Sequence, residues 1–247
     1  MRISYITFSK RNNNCFEKSK EKIKINFMKT QKMKVWVLVG FMLLGTFVRA
    51  QTTQPADEDV KKAKEWISAL TLNDNGKESR LVQVVATHLT EVKNWHNSHP
   101  FSIVPAGINP LDGKPLSDLH RQIIADSAMP STVHQDLMSG LRKDLSEEQV
   151  ALVLDKYTIG KVAFTMKGYQ AIVPEMTAAE TAEIQKLLEK AREQAVDYKS
   201  MKEISAIFEI YKTQAEQYLN NNGRNWRQMY NDYTKKIKAE KATKKKE

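Results

Sequence analysis

Six polar residues in the C-terminal half of the chain have side chains that suit the binding of a ligand. They are Lys167, Tyr169, Arg192, Asp197, Tyr211 and Lys212. An arginine can hold a carboxylate through two parallel hydrogen bonds, and a tyrosine ring can lie against a sugar ring. These side chains predict a groove for an acidic or hydroxyl-rich ligand. The alternative is structural: Arg192 and Asp197 would form ion pairs on or between helices, and Tyr169 would fill the core.

The five histidines raise the question of a metal site. His96 and His99 are three residues apart, which suits two ligands on one helix face, but Pro100 ends the helix there. His88 lies about three turns from His99, too far to share an ion, and no carboxylate stands at ligand spacing among the histidines. We therefore predict no metal and no other cofactor.

Catalytic motifs are equally hard to find. The chain shows no serine–histidine–acid set, no nucleotide-binding loop and no paired-carboxylate motif. We therefore assign no catalytic residue. The sequence leaves enzymatic activity open and favours its absence.

The candidate ligand-binding residues lie on or near a predicted helical hairpin. Two helix starts in it have the spacing of a capping box, Ser146 with Gln149 and Thr177 with Glu180. Between them the pattern breaks at Gly160, and Pro174 makes a sharp corner because it cannot continue a preceding helix. Residues 159–169 fit either a strand or a helix. We favour a helix after Gly160, because the sequence offers no second strand to pair with it.

Apolar residues at helical spacing predict further helices along the chain. The predicted ranges are 57–70, 74–97, 117–143 with an interruption at Pro130, 146–156, 177–198, 202–220 and 225–237. The proline-rich stretch 99–115 is a long connection. The expected fold is all-α: a single domain of about six to eight helices, residues 57–234, built around the capped hairpin. Residues 235–247 are lysine-rich and predict a solvated, disordered tail.

Residues 1–50 have the features of a leader. An apolar run over 35–48 follows Lys29, Lys32 and Lys34, and Val48-Arg49-Ala50 is a small-x-small cleavage pattern. We predict a signal peptide cleaved after Ala50, translation that starts at Met28 or Met33, a polar lead-in over 51–56 and a periplasmic or secreted protein. The run is too short to favour a membrane span, so we expect no stable span after cleavage.

The charge of the chain is concentrated in this leader. Of 39 Lys and Arg residues, 11 lie in 1–50, together with 2 of the 29 acidic residues, so 28 basic and 27 acidic residues remain in 51–247. A nucleic-acid partner is therefore not expected. The single cysteine, Cys15, also lies in the leader, which leaves no disulfide and no thiolate site in the remainder.

Several short motifs lie along the chain: Leu145-Ser146-x-x-Gln149-Val150, Asp155, Thr158, Gly160, Val162, Thr165-x-Lys167-Gly168-Tyr169, Pro174, Thr177, Ala191-Arg192-Glu193-x-Ala195-x-Asp197, Tyr211-Lys212 and Tyr218-Leu219. Together they resemble the domain of unknown function 3826 family of secreted bacterial proteins. The resemblance covers roughly residues 57–236. It implies an all-helical secreted protein, often from polysaccharide-degrading bacteria, with no established activity.

Three functions remain open at this point. The first is a non-catalytic accessory or binding protein, with a glycan or a secreted protein as partner. The second is a chaperone-like helical scaffold, since periplasmic stress chaperones also have repeated Leu-Thr-x-x-Gln helix starts. The third is an enzyme of an unrecognised class. For the site itself we predict one polar groove that contains Lys167, Tyr169 and Lys212, with Arg192 at its edge.

Overall fold

The computed structural model of the protein describes residues 54–110 and 113–244. Within these ranges the chain forms nine α-helices and no β-strand, so the predicted all-α fold is confirmed. The helices are α1 (Asp57–Ser68), α2 (Asn75–Ser98), α3 (Asp118–Asp126), α4 (Ser131–Asp144), α5 (Glu147–Thr158), α6 (Lys161–Ile172), α7 (Ala178–Ala195), α8 (Met201–Asn221) and α9 (Trp226–Lys244). The predicted signal peptide lies outside the described residues.

Local capping explains where the hairpin helices begin. The hydroxyl of Ser146 accepts from the backbone N–H of Gln149, and the Gln149 side chain accepts from the N–H of Ser146. Thr177 and Glu180 make the same pair of bonds at the start of α7. Both predicted capping boxes are therefore confirmed, and each cap stabilises its helix by about 1 kcal/mol. A third box, Ser200 with Glu203, starts α8.

The break between α5 and α6 uses two residues in the left-handed region of backbone space. Ile159 has φ 54° and Gly160 has φ 62°, and the N–H of Gly160 donates to the carbonyl of Asp155. Glycine adopts this conformation freely, whereas an isoleucine there is strained by about 1–2 kcal/mol. After the break the chain resumes as helix α6, as predicted. The predicted interruption at Pro130 is also present, between α3 and α4.

The buried side chains form two clusters. The N-terminal core joins α1, α2, α4 and α5, and includes Ile67, Leu81, Leu141 and Val153. The C-terminal core joins α6, α7 and α8, and includes Tyr169, Leu188, Phe208 and Leu219. Trp226 and Met229 of α9 pack against the C-terminal core. Each side of the domain therefore has an apolar interior of its own.

Helix α9 is anchored at its N-terminal end, and it is longer than predicted. The guanidinium of Arg224, just before α9, donates to both carboxylate oxygens of Glu180, at 2.9 and 3.0 Å, and to the carbonyl of Glu175. We call this contact the Arg224 clamp. The helix then continues to Lys244, so residues 235–244 are helical and not a disordered tail. Lysine and alanine are strong helix formers, which explains why the helix outlasts its apolar contacts.

No helix in the described part of the chain has both the length and the apolar character of a membrane span.

Candidate functional site

An open groove of about 750 Å³ lies between α6, α8 and the first turns of α9. We call it the aromatic groove because six rings line it. These are Phe164, Tyr169, Phe208, Trp226, Tyr230 and Tyr233. Its charged lining residues are Lys161, Lys167, Lys212, Glu209 and Glu216. The groove therefore combines apolar faces with both signs of charge.

The rings in the groove come from three helices, α6, α8 and α9, which bring them side by side. Trp226, Tyr230 and Tyr233 recur at helical spacing and share one face of α9. The Trp226 ring lies 5.1 Å from the Tyr169 ring and 6.1 Å from the Tyr230 ring, measured between centroids. Tyr230 is 48% exposed and Phe164 is 77% exposed. These two rings are open to a ligand, whereas Tyr169 and Trp226 form the base beneath them.

Tyr169 links the base of the groove to helix α8. Its ring is buried, and its hydroxyl donates to the backbone carbonyl of Lys212 at 3.2 Å. Burial raises the pKa of Tyr169 far above its usual value, and the negative charges of Glu216 and Glu209 add to the effect. The phenol therefore stays protonated at every physiological pH. It acts as a hydrogen-bond donor and a positioning group and not as a base.

The charged side chains of α8 are arranged along the same wall. The ammonium group of Lys212 pairs with the carboxylate of Glu209 at 2.8 Å. Burial raises the pKa of Glu216; the cation of Lys212 opposes this, and the charge of Glu209 adds to it. Lys167 is exposed on α6 at the edge of the groove. The groove lining therefore offers ammonium donors and carboxylate acceptors beside the rings.

The structure brings together only some of the residues predicted from the sequence. Lys167, Tyr169 and Lys212 line one groove, which is the arrangement that we predicted. Arg192 is not at its edge, and that prediction is wrong. Its side chain on α7 turns toward α5 and donates to Asp155 at 3.0 Å. Tyr211 also lies outside the groove lining, because its hydroxyl donates to Gln194 of α7.

The comparison with known proteins gives a family but no activity. The sequence model of a family described as a protein of unknown function, DUF3826, matches residues 57–239. The chain belongs to the DUF3826 family. No curated protein matches it.

Asp197 of this DUF3826 domain does not line the groove and lies in a network with two histidines. Its carboxylate oxygens lie 3.0 Å from Nε2 of His88 and 2.9 Å from Nδ1 of His134. Burial alone would raise the pKa of Asp197, but the contacts with His134 and His88 outweigh burial and lower it. The contact with Asp197 raises the pKa of His134. Asp197 and Arg192 therefore form ion pairs between helices, which is the structural alternative given for these two residues.

The aromatic side chains are what the sequence interpretation of this DUF3826 domain missed. Phe164 and Tyr230 were not among the candidate residues, because isolated aromatic residues usually belong to a core. One signal was present: α9 has a stripe of three aromatic residues at helical spacing, although most of that helix is polar. Such a stripe indicates that one face of the helix is aromatic.

Proposed function

We propose that this protein is a secreted or periplasmic accessory protein that binds a glycan in the aromatic groove without cleaving it. The observation that carries the proposal is the exposure of Phe164 and Tyr230 beside the paired charges of Lys212 and Glu209. A sugar ring has an apolar face of C–H groups and a rim of hydroxyls. Aromatic rings cover the face, and ammonium and carboxylate groups bond to the rim.

The dimensions of the groove support this proposal. Ligand sites in proteins are concave and measure roughly 300–1,000 Å³. The aromatic groove, at about 750 Å³, lies within that range and is open on one side. An open groove suits an extended oligosaccharide that continues into solvent, whereas a closed cavity would suit a small molecule.

The location in the proposal comes from the leader sequence. The charged segment, the apolar run and the Val48-Arg49-Ala50 end support export. A role in polysaccharide utilisation fits an exported glycan-binding protein. N-terminal sequencing of protein recovered from the periplasm or medium checks this part, and a chain that still contained Met33 would contradict it.

A binding experiment with matched variants tests the groove. Oligosaccharides from neutral and acidic polysaccharides are titrated into the purified protein by calorimetry. Loss of the exposed ring in Tyr230→Ala is expected to weaken binding about threefold to tenfold, as one aromatic contact contributes about 0.5–1.5 kcal/mol. Phe164→Ala is expected to behave similarly.

The control for these variants is Ile210→Ala. Ile210 lies on α8, is 49% exposed and is not among the residues that line the groove, so it matches Tyr230 in exposure alone. Equal effects of Tyr230→Ala and Ile210→Ala on affinity would contradict the proposal. A chemically unfolded client protein, titrated in parallel, tests the chaperone-like alternative: binding of that client with no glycan binding would favour a scaffold that holds unfolded chains.

A second candidate, glycoside hydrolysis, has one observation in its favour. Glu216 lines the groove and has a raised pKa, as a general acid requires, and the carboxylate of Glu209 pairs with Lys212 on the same helix. Glycoside hydrolases use two carboxyl groups in separate roles, one as the acid and the other as the base or nucleophile. Release of reducing ends from a bound oligosaccharide, abolished in Glu216→Gln, would establish hydrolysis. Binding without release would support the non-catalytic proposal.

A further inference from the structure

Three side chains from three helices converge at the N-terminal end of α8. They lie at the face of α8 that is opposite to the residues lining the groove. His96 lies near the end of α2, Asp126 is the last residue of α3, and Glu203 lies in the first turn of α8. Nδ1 of His96 is 3.0 Å from a carboxylate oxygen of Asp126 and 3.7 Å from one of Glu203. The three donor atoms lie within 4.8 Å of one another.

Both carboxylates are buried and are held in place from outside this set. Asp126 and Glu203 are each only 4% exposed. Gln122 donates to Oδ1 of Asp126 at 2.9 Å, and the N–H of Ser200 donates to Oε2 of Glu203 at 2.9 Å. The remaining oxygens, Oδ2 and Oε1, are the ones that face His96. Outer hydrogen bonds that fix the second oxygen of a carboxylate are typical of metal ligands.

The charge of the set also favours a cation. A buried carboxylate is costly unless a positive charge compensates it. Within residues 54–110 and 113–244, the ion pairs of Asp126 and Glu203 run to His96. One imidazole supplies at most a single positive charge for two carboxylates. A divalent ion would neutralise both and leave the imidazole in its neutral, metal-binding form.

We propose that His96, Asp126 and Glu203 bind a divalent transition-metal ion, for which Zn²⁺ is the best fit. Zn²⁺ binds imidazole nitrogen and carboxylate oxygen at about 2.0–2.2 Å, so two ligand atoms of a tetrahedral site lie about 3.4 Å apart. The two distances from Nδ1 of His96, 3.0 and 3.7 Å, bracket that value, and the oxygens of Asp126 and Glu203 lie within 4.8 Å of each other. Three protein ligands leave a fourth position for water.

The site would join the two halves of the domain. Helix α2 belongs to the N-terminal core and α8 belongs to the C-terminal core. An ion bound by His96 and Glu203 would link them directly, with α3 as the third member. Spacing along the sequence predicts no metal site, because no carboxylate stands at ligand spacing among the histidines. Asp126 is 30 residues from His96, and only the packing of α3 against α2 brings it close.

The test is metal binding by the purified, untagged protein. After treatment with a chelator, Zn²⁺ is titrated at neutral pH by calorimetry, and bound metal is counted by elemental analysis. We expect one Zn²⁺ per chain and a rise in melting temperature on binding. His96→Gln and Glu203→Gln should each weaken binding by about tenfold or more. Ca²⁺ should bind more weakly than Zn²⁺, because an imidazole ligand suits transition metals.

Two features keep the test independent of folding. Glu203→Gln retains an oxygen that can accept from Ser200 and so preserves the cap of α8, and circular dichroism confirms the fold of each variant. His120→Gln, an exposed histidine on α3, is the matched control and should bind Zn²⁺ like the unchanged protein. The absorption spectrum of bound Co²⁺ reports nitrogen and oxygen ligation directly. No saturable uptake of Zn²⁺, or equal uptake by the His96→Gln variant, would overturn the proposal.

Discussion

The two halves of this domain use polar side chains in opposite ways. In the N-terminal half, the buried carboxylate of Asp59 is paired between helices. Asp59, 5% exposed, accepts from the Thr90 hydroxyl at 2.8 Å and from Lys93 at 3.0 Å, and Thr90 in turn accepts from the N–H of Ala56. In the C-terminal half, charged groups and rings line an open groove. The comparison indicates that pairing of buried polar groups stabilises the first half, whereas the second half leaves charged and aromatic side chains exposed.

The largest expected effect is at Asp59. Replacement by alanine leaves Thr90 and Lys93 without their buried partner and should lower the free energy of unfolding by about 3 kcal/mol. Glu58 contacts the same Lys93 from the surface. Glu58→Ala should therefore lower the free energy of unfolding by less than about 1 kcal/mol. Urea denaturation measures both variants, and similar losses would show that the burial of the Asp59 pair does not matter.

Two glycines, one in each half of the domain, allow the same substitution to be compared in both halves. Gly140 of α4 lies against α2, where an added Cβ would be 2.7 and 2.8 Å from the methyl groups of Val84. Gly140→Ala should lower the free energy of unfolding by about 2 kcal/mol through overpacking. Gly168 lines the groove and has no heavy atom within 4 Å of its added Cβ. Gly168→Ala should raise stability by about 0.5–1 kcal/mol, because alanine favours the helix.

Thermal unfolding followed by circular dichroism checks this pair. A stable Gly140→Ala variant would mean that α2 and α4 can separate at little cost. A destabilised Gly168→Ala variant would show that the groove wall is packed as tightly as the N-terminal core, and the contrast between the halves would fail at this point.

The junction between the halves should give an intermediate effect. Ile159 has a positive φ and is 72% exposed, so its side chain gains little from burial. Ile159→Gly relieves the strain and should raise the free energy of unfolding by about 0.5–1 kcal/mol, whereas Gly160→Ala should lower it by about 1 kcal/mol. Denaturation midpoints that moved in the same direction for both variants would contradict this interpretation of the break.

The smallest expected effect is the pH dependence of the Asp197 network. The folded pKa of His134 is raised above 6.5, so its contribution to stability is present below that pH and is lost as pH rises through the folded value. The folded pKa of Asp197 is lowered below 3.8, so its contribution is lost only as pH falls through that lower value. The free energy of unfolding should therefore decline as the pH rises from about 6.5 through the raised folded pKa of His134. The His134→Asn variant should show a flatter profile, and an unchanged slope would remove His134 as the cause.

The sequence predicted features that are determined by neighbours along the chain. The capping boxes at Ser146 and Thr177, the break at Gly160 and the interruption at Pro130 each depend on residues within a few positions. Some of the residues that line the groove were predicted for a similar reason. Lys167 and Tyr169 are close in sequence and share one short helix.

The features that the sequence did not predict depend on how distant helices are rotated against each other. Arg192 turns toward Asp155 because α7 packs between α5 and α8, and no local pattern determines that rotation. The convergence of His96 with Glu203 and the close approach of Gly140 to Val84 have the same origin. The helical state of residues 235–244 has a different origin, because the lysine density there predicts a solvated tail, whereas the helix propensity of lysine and alanine favours a helix.

The Arg224 clamp has a consequence for affinity. Helix α9 provides Trp226 and Tyr230 to the groove, and Arg224 just before it forms an ion pair with Glu180 and donates a hydrogen bond to the backbone carbonyl of Glu175. The arginine lowers the pKa of Glu180 to about 2, so the clamp persists through any physiological pH. Seating of α9 and occupation of the groove are therefore thermodynamically linked: a ligand that contacts both walls stabilises the seated helix, and the clamp strengthens that ligand's binding by the same factor.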